Sequence, residues 1–204
     1  MFSRKLIGLM AVAGMFFAGT ASAQIANTAH DFSGDTWSGG EICVVCHAPH
    51  NNAATVSGAP LWNHTLTATT GFTPYDSNTF NATAGNPSGT SLLCLSCHDG
   101  TVALDSFGGT TGTTFLTGAD NLGKDLSNDH PISFAYDTAL ATADGELFDP
   151  ATATTALGGT IAADLLFGGS MECASCHDVH GTGNTALLLI PNTGSNLCLT
   201  CHNK

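Results

Sequence analysis

Apolar residues are distributed unevenly along the chain. Leu6 to Phe17 form an apolar run behind Arg4 and Lys5 and lead into Ala21-Ser22-Ala23 before Gln24. A basic start, an apolar stretch too short for a bilayer and a small-residue ending are the three parts of a secretory leader. Residues 1–23 are therefore expected to be a signal peptide cleaved after Ala23. Beyond it the pattern changes: no long helical or alternating period appears, and the longest apolar run, Ala186 to Ile190, stops at Pro191. No membrane span is expected in the mature chain. Capping residue types precede three short apolar clusters, Thr90-Ser91 before Leu92, Ser170 before Met171 and Ser195-Asn196 before Leu197. They predict short helices starting there. Gly100 weakens any extension of the first helix, Gly108-Gly109 stops it, and the Gly/Thr stretch 108–118 predicts an exposed loop. The expected fold class is mostly irregular coil with a few short helices.

Each of those clusters runs into the same spelling. Cys-x-x-Cys-His occurs at Cys43, Cys46 and His47; at Cys94, Cys97 and His98; at Cys173, Cys176 and His177; and at Cys198, Cys201 and His202. These motifs use all eight cysteines. The pattern is the attachment signature of a c-type haem, in which two thiols join the porphyrin and the next imidazole takes one axial position on the iron. The competing reading, two zinc ribbons, needs paired Cys-x-x-Cys but no histidine after every second cysteine. Four covalently bound haem c groups are thus expected, and the short helices are expected only at the haem sites. Covalent haem attachment in bacteria takes place outside the cytoplasm, which agrees with the leader.

After cleavage 181 residues remain to wrap four porphyrins. That is too few for an ordinary layered core beside each one, so the stacked haems are expected to form the core of a single tetrahaem domain, residues 24–204. Lys124 and Lys204 are then the only basic residues against sixteen acidic ones, a formal charge of −14. Nucleic acid and anionic membrane surfaces are poor partners on that ground, while cationic proteins, metal cations and positively charged mineral faces are favoured; the alternative is that the acidity only keeps an exported protein soluble.

Motifs 1 and 3 share a frame with a second histidine three residues on, giving His50 and His180; motifs 2 and 4 share a Leu-Cys-Leu frame without it. This A-B-A-B order suggests a duplicated two-haem unit. The spacers between motifs are 46, 74 and 20 residues.

The second axial position decides the chemistry: a protein ligand closes the iron for electron transfer, whereas an open face admits a substrate. Five histidines lie outside the motifs, His30, His50, His64, His130 and His180, for four vacancies, and Met171 is the only methionine beyond the leader. His50 and His180 follow a proximal histidine too closely to reach their own iron and are expected on a neighbouring haem. His130 precedes Pro131 in the long spacer, His64 follows Trp62, a haem-packing aromatic, and His30 sits on an N-terminal arm. All five are candidate distal ligands. His50 is the candidate to cross to haem 4 of an adjacent protomer, with His30 as the alternative.

The segments Ala29 to Gly34, Cys43 to Asn51, Pro60 to His64, Leu93 to Gly100, Ser127 to Phe134 and Cys173 to His180 resemble the OmcE-type tetrahaem cytochromes, whose subunits polymerise outside the cell into filaments with a continuous chain of haems. The resemblance covers nearly the whole mature sequence. It implies bis-histidine ligation of all four haems, little regular secondary structure, and one axial histidine donated across the subunit boundary.

The expected function is extracellular electron transfer by the subunit of a conducting homopolymer joined end to end. Other redox proteins or extracellular acceptors would be its partners, and the location secreted or at the cell surface. The rivals are a soluble periplasmic electron shuttle and a multihaem reductase. The histidine count argues against the reductase, because no vacancy is forced to stay open.

Overall fold

The computed structural model describes residues 25–50, 61–181 and 183–204; the leader lies outside them. Regular structure is sparse. Four helices, α1 (Gly89–His98), α2 (Thr138–Asp144), α3 (Ile161–Asp164) and α4 (Asn196–Cys201), and two two-residue strands, β1 (Phe134–Ala135) and β2 (Ser170–Met171), are joined by turns and single 3-10 turns. The strands pair antiparallel, Phe134 opposite Met171 and Ala135 opposite Ser170. Among the described residues no helix is long and apolar enough to cross a membrane.

Two of the helices carry motifs: α4 opens at the expected Ser195, whereas α1 opens earlier, at Ser88, so that Thr90 and Ser91 lie inside it. α1 starts after Ser88 and contains Cys94, Cys97 and His98, with the intervening Leu95 and Ser96 buried. α4 starts after Ser195 and contains Cys198 and Cys201. Ser170 behaves differently: it lies in β2, and motif 3 opens instead on a 3-10 turn, Cys173–Ser175, capped by Glu172. Pairing with β1 takes up the backbone at Ser170 and Met171 before a helix can start.

The expectation that helices occur only at the motifs is also corrected. α2 and α3 lie in the long spacer, each held by a side-chain cap: Asp137 accepts from the Leu140 amide at 2.8 Å, and Thr160 accepts from the Ala163 amide at 3.3 Å. These caps satisfy amides that the first turn of a helix leaves without partners.

α2 and α3 contribute to an apolar core made of protein alone. Phe134, Tyr136, Ala141, Ile161, Leu165, Leu166, Met171 and Ile190 are buried together, with Leu147, Leu197 and Cys201 packed against them. The core is therefore not built only from porphyrins. It occupies the second half of the chain and backs onto motif 4. A smaller cluster, Phe72, Leu95 and Leu126, lies behind motif 2. Residues 108–118 are mostly exposed, as the composition predicts.

Lys124 secures the loop over motif 2. Its ammonium lies 3.9 Å from Asp99, 3.4 and 3.2 Å from the carbonyl oxygens of Ala68 and Thr70, and 4.6 Å above the Phe72 ring. Asp99 is buried and accepts from Thr67 at 2.5 Å and from the amide and hydroxyl of Thr101 at 2.8 Å. The chain thus turns sharply after His98. Gly100 makes the turn at φ +69°, and a Cβ there would stand 2.2 Å from the Asn121 side chain.

Gly100→Ala is expected to cost about 1–2 kcal/mol from the left-handed backbone alone. For a chain of this size that lowers the melting midpoint by roughly 2–8 °C, measured by calorimetry on the haem-loaded protein.

Candidate haem sites

Backbone geometry around the motifs is repeated. At motif 1, Cys46 and His47 amides both donate to Cys43 O; Ala48 N then donates to Leu61 O at 2.9 Å and Asn63 N to Cys46 O at 2.9 Å. At motif 3, Cys176 and His177 amides donate to Cys173 O; Asp178 N donates to Leu187 O and Leu189 N to Cys176 O, both at 2.8 Å. The opposing leucines, Leu61 and Leu187, are left-handed with φ +54° and +56°. Motif 4 has the same two-bond clasp against Glu146 and Phe148. Motif 2 is held by its helix and by Leu122 N on His98 O at 2.7 Å. Each motif histidine is thereby fixed at the end of a tight turn.

Hydrogen bonding also orients several of the rings. His98 Nδ1 lies 2.8 Å from Asp120 O, His177 Nδ1 2.9 Å from Ala186 O, and His130 Nδ1 2.9 Å from Pro131 O. A neutral imidazole that donates Nδ1–H to a carbonyl keeps its Nε2 lone pair for a metal. His180 Nδ1 is 3.5 Å from Asp178.

Three motif histidines face a histidine from elsewhere in the chain. The ring centroids are 6.0 Å apart for His47 and His180, 6.0 Å for His98 and His30, and 6.4 Å for His202 and His130. Two imidazoles sharing a metal through bonds of about 2 Å have their centroids about 6 Å apart. The gap therefore has the width that one iron needs. Burial, and then the nearby His98, hold His30 below the usual imidazole range, which favours its neutral, ligating form.

His177, His50 and His64 are arranged otherwise. No described ring contact joins His177 to another histidine, although His30 is near enough to be influenced by it. His50 is exposed. His64 is fully buried, with Nδ1 2.8 Å from Thr65 O and Nε2 3.0 Å from Ala103 O, and it lies 3.7 Å from the Cys97 sulfur. A neutral imidazole has one N–H, so the ring donates to one of these two carbonyls, and it sits between the two loops beside motif 2. An open cavity of about 720 Å³ is lined by Ala26, Thr28 and Ala29 of the N-terminal segment and by Gly181, Gly183 and Ala186 of the loop after motif 3.

The thiols connect the motifs in chain order. Burial, and then the nearby Cys46 of motif 1, push the Cys97 thiol of motif 2 up to about 12. Cys94 and Cys173 share a hydrogen bond that raises the first and lowers the second, joining motifs 2 and 3. Burial, then Cys176 and Cys198, push Cys201 up to about 12, joining motifs 3 and 4. All eight cysteines are free thiols, of which Cys43 and Cys198 are exposed. A zinc ribbon needs two pairs converging on one tetrahedral point. Among the described residues, no three ligating side chains come together in that way.

The residues fit haem in a further respect. Trp62 Nε1, His30 Nδ1 and Thr90 Oγ1 are buried without a partner among the described residues. Trp62 also meets His47 edge-on at 6.3 Å. Orphan donors of this kind are costly, and the propionate of an attached haem is an acceptor of the right charge. Sequence reasoning marked Trp62 for packing only; its unpaired indole N–H became apparent from burial.

Comparison with known proteins agrees with this geometry. The doubled CXXCH motif family model matches residues 168–204, which span motifs 3 and 4. No curated protein matches the chain. With the paired motifs, the free thiols and the mostly irregular backbone, the match makes this chain a multihaem c-type cytochrome-like protein, of a class that generally carries electrons.

Proposed function

We propose that the mature chain holds four haems, one on each motif, and passes electrons along them as the subunit of an extracellular filament. When bound, haem supplies a one-electron iron couple. The observation that carries the proposal is the set of three imidazole pairs, His47 with His180, His98 with His30 and His202 with His130, each at the spacing of a shared metal. Closed, six-coordinate irons favour a carrier over a reductase. Motif 3 lies against motif 2 through the Cys173 amide on Ser91 Oγ and against motif 1 through His180 and His47, which supports closely neighbouring haems.

Three histidines are left over, His50, His64 and His177, and the filament reading rests on the first and the last of them. His177 lacks a described histidine partner, and His50 is exposed. An axial ligand supplied by a second copy completes the set, with His50 as donor and the iron of motif 3 as acceptor. This revises the expectation of a crossing to haem 4, where His130 already stands opposite His202. Export follows from the leader, and the acidic surface suits a cationic partner or acceptor. A soluble shuttle uses the same chemistry without the crossing ligand.

Intact mass of the secreted protein is expected to exceed the mature chain by four haems, with no zinc by metal analysis. Paramagnetic resonance of the oxidised protein should show low-spin iron throughout, and a stoichiometric high-spin signal in the assembled protein would instead support a reductase.

Replacing an internal ligand should separate from replacing the crossing one. His30→Ala is expected to convert one haem to high-spin while filaments still form. His50→Ala is expected to give monomers with one high-spin haem that added imidazole returns to low-spin. Normal filaments of His50→Ala, imaged by cryo-electron microscopy, would rule out the crossing assignment.

A further inference from the structure

Glu172 is a buried carboxylate without a cation. It is 3% exposed, and the ion pairs among the described residues involve other groups: Lys124 with Asp99, Lys204 with Glu146, and His180 with Asp178. Lys124 and Lys204 are the only basic side chains beyond the leader, so no lysine or arginine is left to neutralise it. Its oxygens are met instead by two hydroxyls, Ser88 Oγ at 3.3 Å and Ser133 Oγ at 3.1 Å, and by the Ser175 amide of the turn it caps. Burying a carboxylate on neutral donors alone is expensive, and such a group is kept where a positive charge is present in the working protein or where it fixes a geometry.

The position of Glu172 indicates both. It immediately precedes Cys173, and its amide donates to the buried Ser175 Oγ at 2.9 Å. Ser88 and Ser91 bracket the start of α1, which carries motif 2; Ser91 is fully buried and accepts from the Cys173 amide at 2.9 Å. Ser133 follows the His130 loop, accepts from Ser88 N at 3.0 Å and donates its own amide to Met171 O at 2.7 Å. Three segments therefore meet on one carboxylate: motif 2, motif 3 and the strand behind His130. The gap is closed to larger side chains, since a Cβ on Gly89 would stand 3.2 Å from Glu172 Oε1.

The first cysteines of the two motifs lie against each other across this clip, Cys94 and Cys173 sharing a thiol hydrogen bond. The field of the carboxylate reaches that point: Cys94 lowers Cys173, while burial and Glu172 work in the opposite sense. A ferric haem carries one more positive charge than a ferrous haem, and fixed negative charge in a poorly screened site favours the ferric form.

We propose that Glu172, held by Ser88 and Ser133, is a positioning residue that fixes the contact between haems 2 and 3 and sets their reduction potentials below those they would otherwise have. The inference rests on the reading that motifs 2 and 3 carry haem. In it, the serine hydroxyls tune the carboxylate by partly compensating its charge, so removing a hydroxyl and removing the charge act in opposite directions.

The test is a spectroelectrochemical titration of the secreted, haem-loaded protein. Glu172→Gln should move one or two of the four transitions upward, with the reduced-to-oxidised ratio at fixed solution potential rising about tenfold, or about 59 mV for a one-electron couple. Ser133→Ala should move the same transitions downward, and Asp76→Asn, at an exposed position, should leave all four in place. An unchanged titration of a four-haem Glu172→Gln protein would overturn the proposal, as would upward shifts in both variants. Should Glu172→Gln not mature, the sign of the shift in Ser88→Ala and Ser133→Ala decides. Wild-type peptides of motif 2 or 3 lacking covalent haem would defeat the underlying reading instead.

Discussion

The organisation of this molecule depends on how an imidazole is held. A histidine that ends a Cys-x-x-Cys turn has its backbone fixed, but its ring must still be turned so that one nitrogen points into the gap. Carbonyls do this at His98 and His177, through Asp120 O and Ala186 O, and at the opposing His130 through Pro131 O. The accepting residues are in loops far from the motif or just beside the ring, and the loops are in turn tied down by caps, clasps and the lysine over motif 2. Sparse secondary structure is compatible with well-defined sites because the anchoring bonds are local to each ring.

Much of the site could be read from the sequence because covalent chemistry dictates spacing. The four motifs, their proximal histidines and the two short motif helices α1 and α4 follow from adjacency in the chain. Ring pairing does not, since His47 meets His180 and His130 meets His202 through tertiary packing. His64 shows the limit clearly. A histidine behind Trp62 has the same letter whatever its ring faces, and its burial between Thr65 O and Ala103 O, beside the Cys97 sulfur, follows from tertiary packing alone.

The protein core was illegible for a related reason. α2 and α3 have seven and four residues, too short for periodicity to register, although Asp137 and Thr160 are ordinary caps. Their contribution is to bury Ile161 and Leu165 against Tyr136 and Ile190, contacts that link residues far apart in sequence. Apolar residues scattered singly through a Gly- and Thr-rich spacer therefore assemble into a support for motif 4.

The ring contacts also impose a temporal order on the chain as it emerges from its N-terminus. His130 is already present when His202 appears, and His30 when His98 does, so those two rings find a partner waiting behind them. His47 meets His180 only across more than a hundred residues of chain. The contact of the first motif is thus completed only after motifs 2 and 3 have been synthesised.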